Sequence, residues 1–323
     1  MEMRERLDIS DVITGKNILK KYGKFALDVK EFHVPRGYAT ALIGENGAGK
    51  STLLDILTGV RLDYSGKVDF FSGSDETAGF SGMGQDTKGR GNVDPFAPGL
   101  EELRERIGYT SPNDFFPPDW TVYQIREASK LLFSNFDEEK FDAIVKELDV
   151  PTDRVKKNWK KFSQLSDGNK MKLELATVLA RDTDVLIMDE PASPLDPLMR
   201  DKLCDIIRDY MAKKSGRSVF FSTHNIADME NVTDYVIILE NGEIIETGFT
   251  EDLKEKYVMV KADAGVSGEL ENLLIGCRKT SVGIEGLMEA THRDVAEKLG
   301  AVLEVPSLTE ISVCLMKQHS RLA

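Results

Sequence analysis

Cysteine is scarce in this chain: Cys204, Cys277 and Cys314 are far apart among 323 residues and form no CxxC pair. That spacing offers neither a disulfide framework nor a thiolate zinc site, and it fits a reducing compartment. Long apolar runs are missing as well, since no window approaches the roughly 18–20 apolar residues of a membrane span. The opening MEMRERLDISD has no apolar core of a secretory leader, so the expectation is a cytoplasmic protein that meets a membrane only through a partner. Positive charge is in deficit. With 42 Lys and Arg against 55 Asp and Glu the net charge is −13, which argues against a broad polyanion-binding surface and against nucleic acid as a partner. No internal repeat is visible. What remains, 41% hydrophobic and 30% charged residues, is ordinary for a globular protein with one large domain and a small one, or two medium ones.

The acidity is concentrated. Residues 63–153 hold nine basic and nineteen acidic side chains, −10 of the total −13. Within that stretch, residues 72–99 carry seven glycines with Ser, Asp and two Pro and no apolar period, a composition that predicts a flexible, mobile glycine-rich loop.

Strand signals recur along the rest of the chain. Tyr38–Ile43 runs into Gly44-Glu-Asn-Gly-Ala-Gly-Lys-Ser51, after which Leu53, Leu54, Ile56 and Leu57 follow at helical spacing. Val185–Met188 ends at Asp189-Glu190, and Ser218–Phe221 ends at Ser222-Thr-His224. Continuous apolar runs separated by helical segments such as 197–214 predict a buried parallel sheet of the α/β class. Tyr235–Leu239, Glu240-Asn-Gly-Glu243 and Ile244-Ile245 predict a hairpin with a type I′ turn. Helical spacing across about 115–180 predicts an inserted helical subdomain. Beyond Lys254 the style changes to short strands and small helices, which predicts a C-terminal α+β module over 255–323.

Gly44-x-x-x-x-Gly49-Lys50-Ser51 fits the P-loop pattern at every fixed position. Its glycines let successive N–H groups, those of Asn46, Gly47, Ala48, Gly49, Lys50, Ser51 and Thr52 among them, face phosphate oxygens at a helix N-terminus. Lys50 is placed to reach the β and γ phosphates and Ser51 to hold Mg²⁺. Asp189, ending an apolar strand, is the expected Mg²⁺ holder, directly or through a bound water. Glu190 beside it is placed to polarise an attacking water.

With these motifs in hand, the chain over about residues 8–254 resembles the ATP-binding subunit of ABC transporters, whose fold is a P-loop NTPase with a RecA-like, mostly parallel sheet, an antiparallel β portion and an inserted helical subdomain. The family's signature motif is matched by Leu165-Ser166-Asp167-Gly168-Asn169, its D-loop by Ser193-Pro194-Leu195-Asp196, and its switch histidine by His224. Tyr22 stands where the family stacks a ring on adenine, although it is also open to reading as a packing residue. The resemblance implies ATP with Mg²⁺, Glu190 as base, His224 steadying the γ-phosphate, and Lys50 on the phosphates. It further implies a head-to-tail pair of such subunits, identical or paralogous, in which Ser166, Gly168, Asn169 and Asp196 of one meet nucleotide held by the other. A separate transmembrane permease would hold the pair at the inner face of the cell membrane.

Two departures stand out. Asp167 and Asn169 replace the commoner Gly and Gln of the signature. Where the family places Gln or Glu three residues after a Tyr such as Tyr109, to sense Mg²⁺ and link to the permease, this chain has Pro112; Asn113 is expected to take the metal-sensing place, with Asp114 as the other candidate. The aromatic run Phe115–Val122 is open to two readings, a small core or a docking groove for a permease helix. Residues 255–323 resemble the C-terminal extension of bacterial exporter ATPases linked to peptides, toxins or antibiotics. The competing reading is a soluble ATPase of the same superfamily acting in assembly or DNA maintenance, but the zinc insertion, second cassette or basic face expected of one is not visible. A kinase using only the P-loop leaves Leu165–Asn169 and Asp196 unexplained.

Overall fold

The apolar run before the glycine loop forms the strand Ala39–Ile43, buried at every position. On one side it pairs in parallel with Ser218–Thr223, then come Val185–Met188 and Ile107–Thr110; on the other lies Tyr235–Glu240, whose antiparallel partner Glu243–Phe249 ends the six-stranded sheet. Asn241 and Gly242, with φ of 50° and 86°, make the hairpin turn, as an Asn-Gly type I′ turn requires. This computed structural model describes residues 9–71, 78–80, 100–112, 116–152, 154–155, 158–263, 267–279, 281 and 283–319. The glycine-rich stretch expected over 72–99 therefore falls, apart from 78–80, outside the described residues, as do Asn113, Asp114 and Phe115.

Parallel register brings the strand ends together. Thr223 lies beside Ile43, and Phe221 and Thr110 lie beside Met188. The chain therefore leaves one edge of the sheet at Gly44, Ser111, Asp189 and His224, the carboxyl edge at which α/β folds bind ligands.

Side-chain alternation splits the sheet between two cores. Leu42, Ile187, Phe220 and Ile237 face the helix Lys50–Leu57 and a second sheet, ordered Phe25–Pro35, Asp11–Tyr22, Ser65–Phe70, Ala78–Phe80. Ala41, Leu186, Met188 and Phe221 face the helices Asp167–Leu179 and Pro197–Ala212. The helical segment predicted for about 115–180 consists of Val122–Leu132, Glu138–Glu147 and Asp167–Leu179 with a two-stranded pair, Arg154–Val155 and Asn158–Trp159, between them. Local chemistry sets these boundaries: Thr121 and Gln124 form a reciprocal capping box, and Asp137, Ser166 and Asp196 each cap the helix that follows. In the aromatic run, Phe116 is 8% exposed and meets Phe162 edge to face at 5.6 Å, and Trp120 packs partly buried on the same core. Those two rings are core residues.

The C-terminal part of the fold is an antiparallel sheet ordered Ile275–Lys279, Gly283–Glu289, Tyr257–Asp263, Val302–Glu304. Val258, Val260, Ile284 and Met288 on one face form a small core of their own with Leu270 and Ala296. Met259 and Leu287 on the other face join Leu308, Ile311, Leu315 and Met316 of the terminal helix Leu308–His319, and through them the main core that holds Val236 and Ile238. The terminal helix thus packs between this sheet and the six-stranded one, and Asn241 Nδ2 donates to the His319 carbonyl at 3.1 Å.

Candidate active site

The P-loop helix begins at Lys50 because Gly49 takes φ 110°, a conformation that a side chain would strain. Lys50 is only 5% exposed. Its ammonium donates to the Gly44 carbonyl at 2.8 Å and the Glu45 carbonyl at 3.2 Å, and lies 3.2 Å from Glu190 Oε1. Glu190 follows the end of the Val185–Met188 strand with φ 48°, and its N–H is held by Ser222 Oγ at 2.9 Å. Its other oxygen, Oε2, lies 2.6 Å from His224 Nδ1 and accepts the His224 N–H at 3.3 Å. Asp189, 1% exposed, accepts from the Ser222 hydroxyl. Lys50, Glu190, His224, Ser222 and Asp189 are consequently one bonded array drawn from three strand ends.

Two adjoining clefts open on this array. The smaller, about 470 Å³, is lined by Tyr22, Phe25, Asn46, Gly47, Gly49, Lys50, Ser51, Thr52 and Glu190. The larger, about 790 Å³, runs from Asn46, Glu190 and His224 past Ser111 and Pro112 to Asp167, Lys170, Met171 and Glu174 on the helical side. Sequence reasoning thus located most of the smaller cleft, Tyr22 included. It missed Phe25, whose ring lies near-parallel to that of Tyr22 with centroids 6.4 Å apart, and Lys20 and Arg61, whose cationic groups stand 5.1 and 5.3 Å from the centre of the Tyr22 ring. The signal available for Phe25 was its nearness to Tyr22 across the Gly23-Lys24 turn.

The remaining expected residues sit apart from the array. Ala48 is buried beneath the loop, its carbonyl bonded by the Gly242 N–H at 3.0 Å. Ser166 is exposed and accepts the Asn169 N–H of its own helix at 3.4 Å. Asp196, also exposed, accepts the Met199 N–H at 3.1 Å. Gly168 runs so close to the Pro194 carbonyl that an added Cβ would stand 2.9 Å from it. This close approach fixes the signature helix against Ser193-Pro194. Asn113 lies outside the described residues.

Electrostatically, the floor between the P-loop helix and the Ile107–Thr110 strand is half-buried at Asp55 and Tyr109. Burial pushes the Asp55 carboxyl up from its ordinary value, against the opposing pull of Arg61. Burial also pushes up the Tyr109 phenol, which donates to Asp55 Oδ1 at 3.4 Å. The oxygen donors near the P-loop, the Ser51 hydroxyl and the Asp189 carboxylate, are the hard ligands that suit Mg²⁺ brought in on nucleotide phosphates. Among the described residues no group of three or more His, Cys, Asp or Glu side chains stands ready to hold a metal.

The sequence pattern of the ABC transporter family matches residues 27–193. The nickel import ATP-binding protein of Rhodobacter capsulatus is 28% identical over 258 residues, covering 73% of this chain and 88% of that protein. The Nod factor export ATP-binding protein I of Burkholderia orbicola is 28% identical over 250 residues, 76% of this chain and 73% of that one. A bacterial ABC transporter cassette solved as a dimer shares the fold at TM-score 0.57 and 19% identity, over 73% of this chain and 98% of that one.

Proposed function

The chain belongs to the ABC transporter family, and we propose that it powers a membrane exporter as one of two ATPase subunits paired head to tail. Membership makes it an ATP-binding ATPase that works with Mg²⁺. The observation that carries the residue-level reading is the Lys50–Glu190–His224 array at the mouth of the P-loop.

Lys50 and the loop N–H groups bind the triphosphate. Ser51 and Asp189 would hold Mg²⁺, which would supply positive charge against the nucleotide phosphates. Glu190 takes a proton from the attacking water, and His224, hydrogen-bonded to Glu190, orients that carboxylate and donates toward the γ-phosphate. Tyr22 and Phe25 offer rings to the adenine.

The second half of the site comes from another subunit. Ser166, Gly168, Asn169 and Asp196 lie outside the bonded array of their own chain, and Ser166 and Asp196 are exposed, which suits them to nucleotide held by a partner. A cassette of the same fold, solved as a dimer, supports pairing. No helix among the described residues is long and apolar enough to cross a membrane. On the family resemblance we place the pair at the inner face of the cell membrane on a separate permease, with residues 1–254 as the ATPase domain and 255–323 as an accessory module. Export of peptides, toxins or antibiotics is read from the resemblance of residues 255–323; the names of the relatives include an importer and an exporter. These relatives are transporter subunits and do not favour the assembly or DNA-maintenance reading.

Co-expression with the permease and transport into inverted vesicles tests this. Export predicts ATP-dependent accumulation of a peptide or antibiotic inside inverted vesicles, abolished by Lys50→Ala; accumulation only in right-side-out vesicles would reverse the direction.

A further inference from the structure

The helix Asp167–Leu179 presents Asp167, Lys170, Met171 and Glu174 to the larger cleft, the spacing of one helical face. Asp167 and Lys170 suit a wall open to solvent. Glu174 does not: it is 4% exposed and lies between Leu173 and Leu175, both fully buried. A carboxylate in such a place is strongly unfavourable unless hydrogen bonds replace its lost hydration. Glu174 Oε2 accepts the backbone N–H of Ser111 at 3.2 Å.

Ser111 is 5% exposed and directly precedes Pro112, which has no N–H with which to anchor the chain. One residue earlier, the Thr110 carbonyl accepts the Asp189 N–H at 2.9 Å. The neighbouring Tyr109 phenol donates to Asp55 of the P-loop helix, and the Ser111 side chain is a second hydrogen-bonding neighbour of that phenol. A continuous set of bonds therefore leads from the P-loop helix through Tyr109 and Ser111 to the helix that starts at Ser166.

We propose that Glu174 is a positioning residue which, by accepting the Ser111 N–H, ties the helix Asp167–Leu179 to the bend at Pro112. The wall bearing Ser166 and Gly168 then moves together with the edge bearing Asp189 and Glu190. Pro112 lacks the side chain that would link these parts at its own position, and Glu174 supplies the link from the buried side of the cleft. This inference rests on reading the cleft as the ATPase site.

The test compares Glu174→Gln, which keeps an oxygen acceptor, with Glu174→Ala, which does not, in the full chain. Glu174→Ala is expected to lose about tenfold in kcat with KM for ATP within about twofold, whereas Glu174→Gln stays within about twofold in both. Hydrogen exchange of the peptide containing Ser111 should rise in Glu174→Ala and stay unchanged in Glu174→Gln. Parent-like turnover in both variants, or equal impairment of both, overturns the proposal. If Glu174→Ala fails to fold, the exchange of Ser111 in Glu174→Gln decides: unchanged protection supports the link and lost protection refutes it. A Lys50→Ala control separates the two readings, because hydrolysis that survives it removes the ATPase assignment whatever Glu174 does.

Discussion

On the core wall of the cleft Lys50, Glu190, His224, Ser222 and Asp189 bond to one another across three strand ends. On the facing helical wall the exposed Ser166 caps its own helix, while Asp167 has Lys170, one turn along, as an ion-pair neighbour at 3.8 Å. The first wall has its geometry fixed within one chain by side chains that leave each other little freedom. The second wall leaves Ser166 exposed at the start of its helix. A site so divided is half built. In our account the catalytic chemistry belongs to the core wall, and the helical wall serves nucleotide bound elsewhere.

Breaking the core wall should give the largest effects. Glu190→Gln removes the proposed base while keeping a hydrogen-bonding group beside Lys50 and His224, so ATP hydrolysis should fall about 10²–10⁴-fold, the usual range for losing a general base. Phosphate release measures the loss and retained binding of a fluorescent ATP analogue shows that the site survives. Lys50→Ala removes the one ammonium buried in the loop, and charge-assisted bonds of this kind contribute about 1.5–3 kcal/mol each. ATP affinity should accordingly drop about 10–10²-fold, readable by titration calorimetry. His224→Ala leaves Glu190 without the partner 2.6 Å away; misdirection of the base should lower kcat about tenfold with little change in KM.

The helical wall should answer differently. Ser166→Ala and Asp196→Ala each remove an N-cap and should cost about 1 kcal/mol of stability in the isolated chain, seen as a small fall in Tm. Neither should change ATP binding to a monomer. If Ser166→Ala weakens ATP binding to the monomer as much as Lys50→Ala does, the division between the walls is wrong.

Much of the core wall was legible in the sequence because its chemistry leaves few alternatives. Only a glycine tolerates the backbone at Gly49, and the apolar runs ending at Asp189 and His224 announce both the strands and the edge where they stop. Less of the helical wall was legible. Glu174 sits at a position that helical periodicity alone would treat as an exposed charge, yet the helix is apolar on both flanks, so tertiary burial decides its role. The motif at Asp196 points to a partner subunit, while in the single chain its carboxylate serves as a cap. The link from the terminal helix to the hairpin at Asn241 depends on contacts 78 residues apart, which no local pattern encodes. Phe25 joins Tyr22 only because the turn between them folds the two strands together.

On this reading the site is completed by a second copy or a paralogue of the chain. Sedimentation velocity of Glu190→Gln with Mg²⁺ and ATP tests it most directly. An ATP-dependent dimer of this chain, or of this chain with its paralogue, that dissociates with ADP and is prevented by Gly168→Trp is expected; monomers throughout the concentration range, with the paralogue and permease also present, would contradict that pairing.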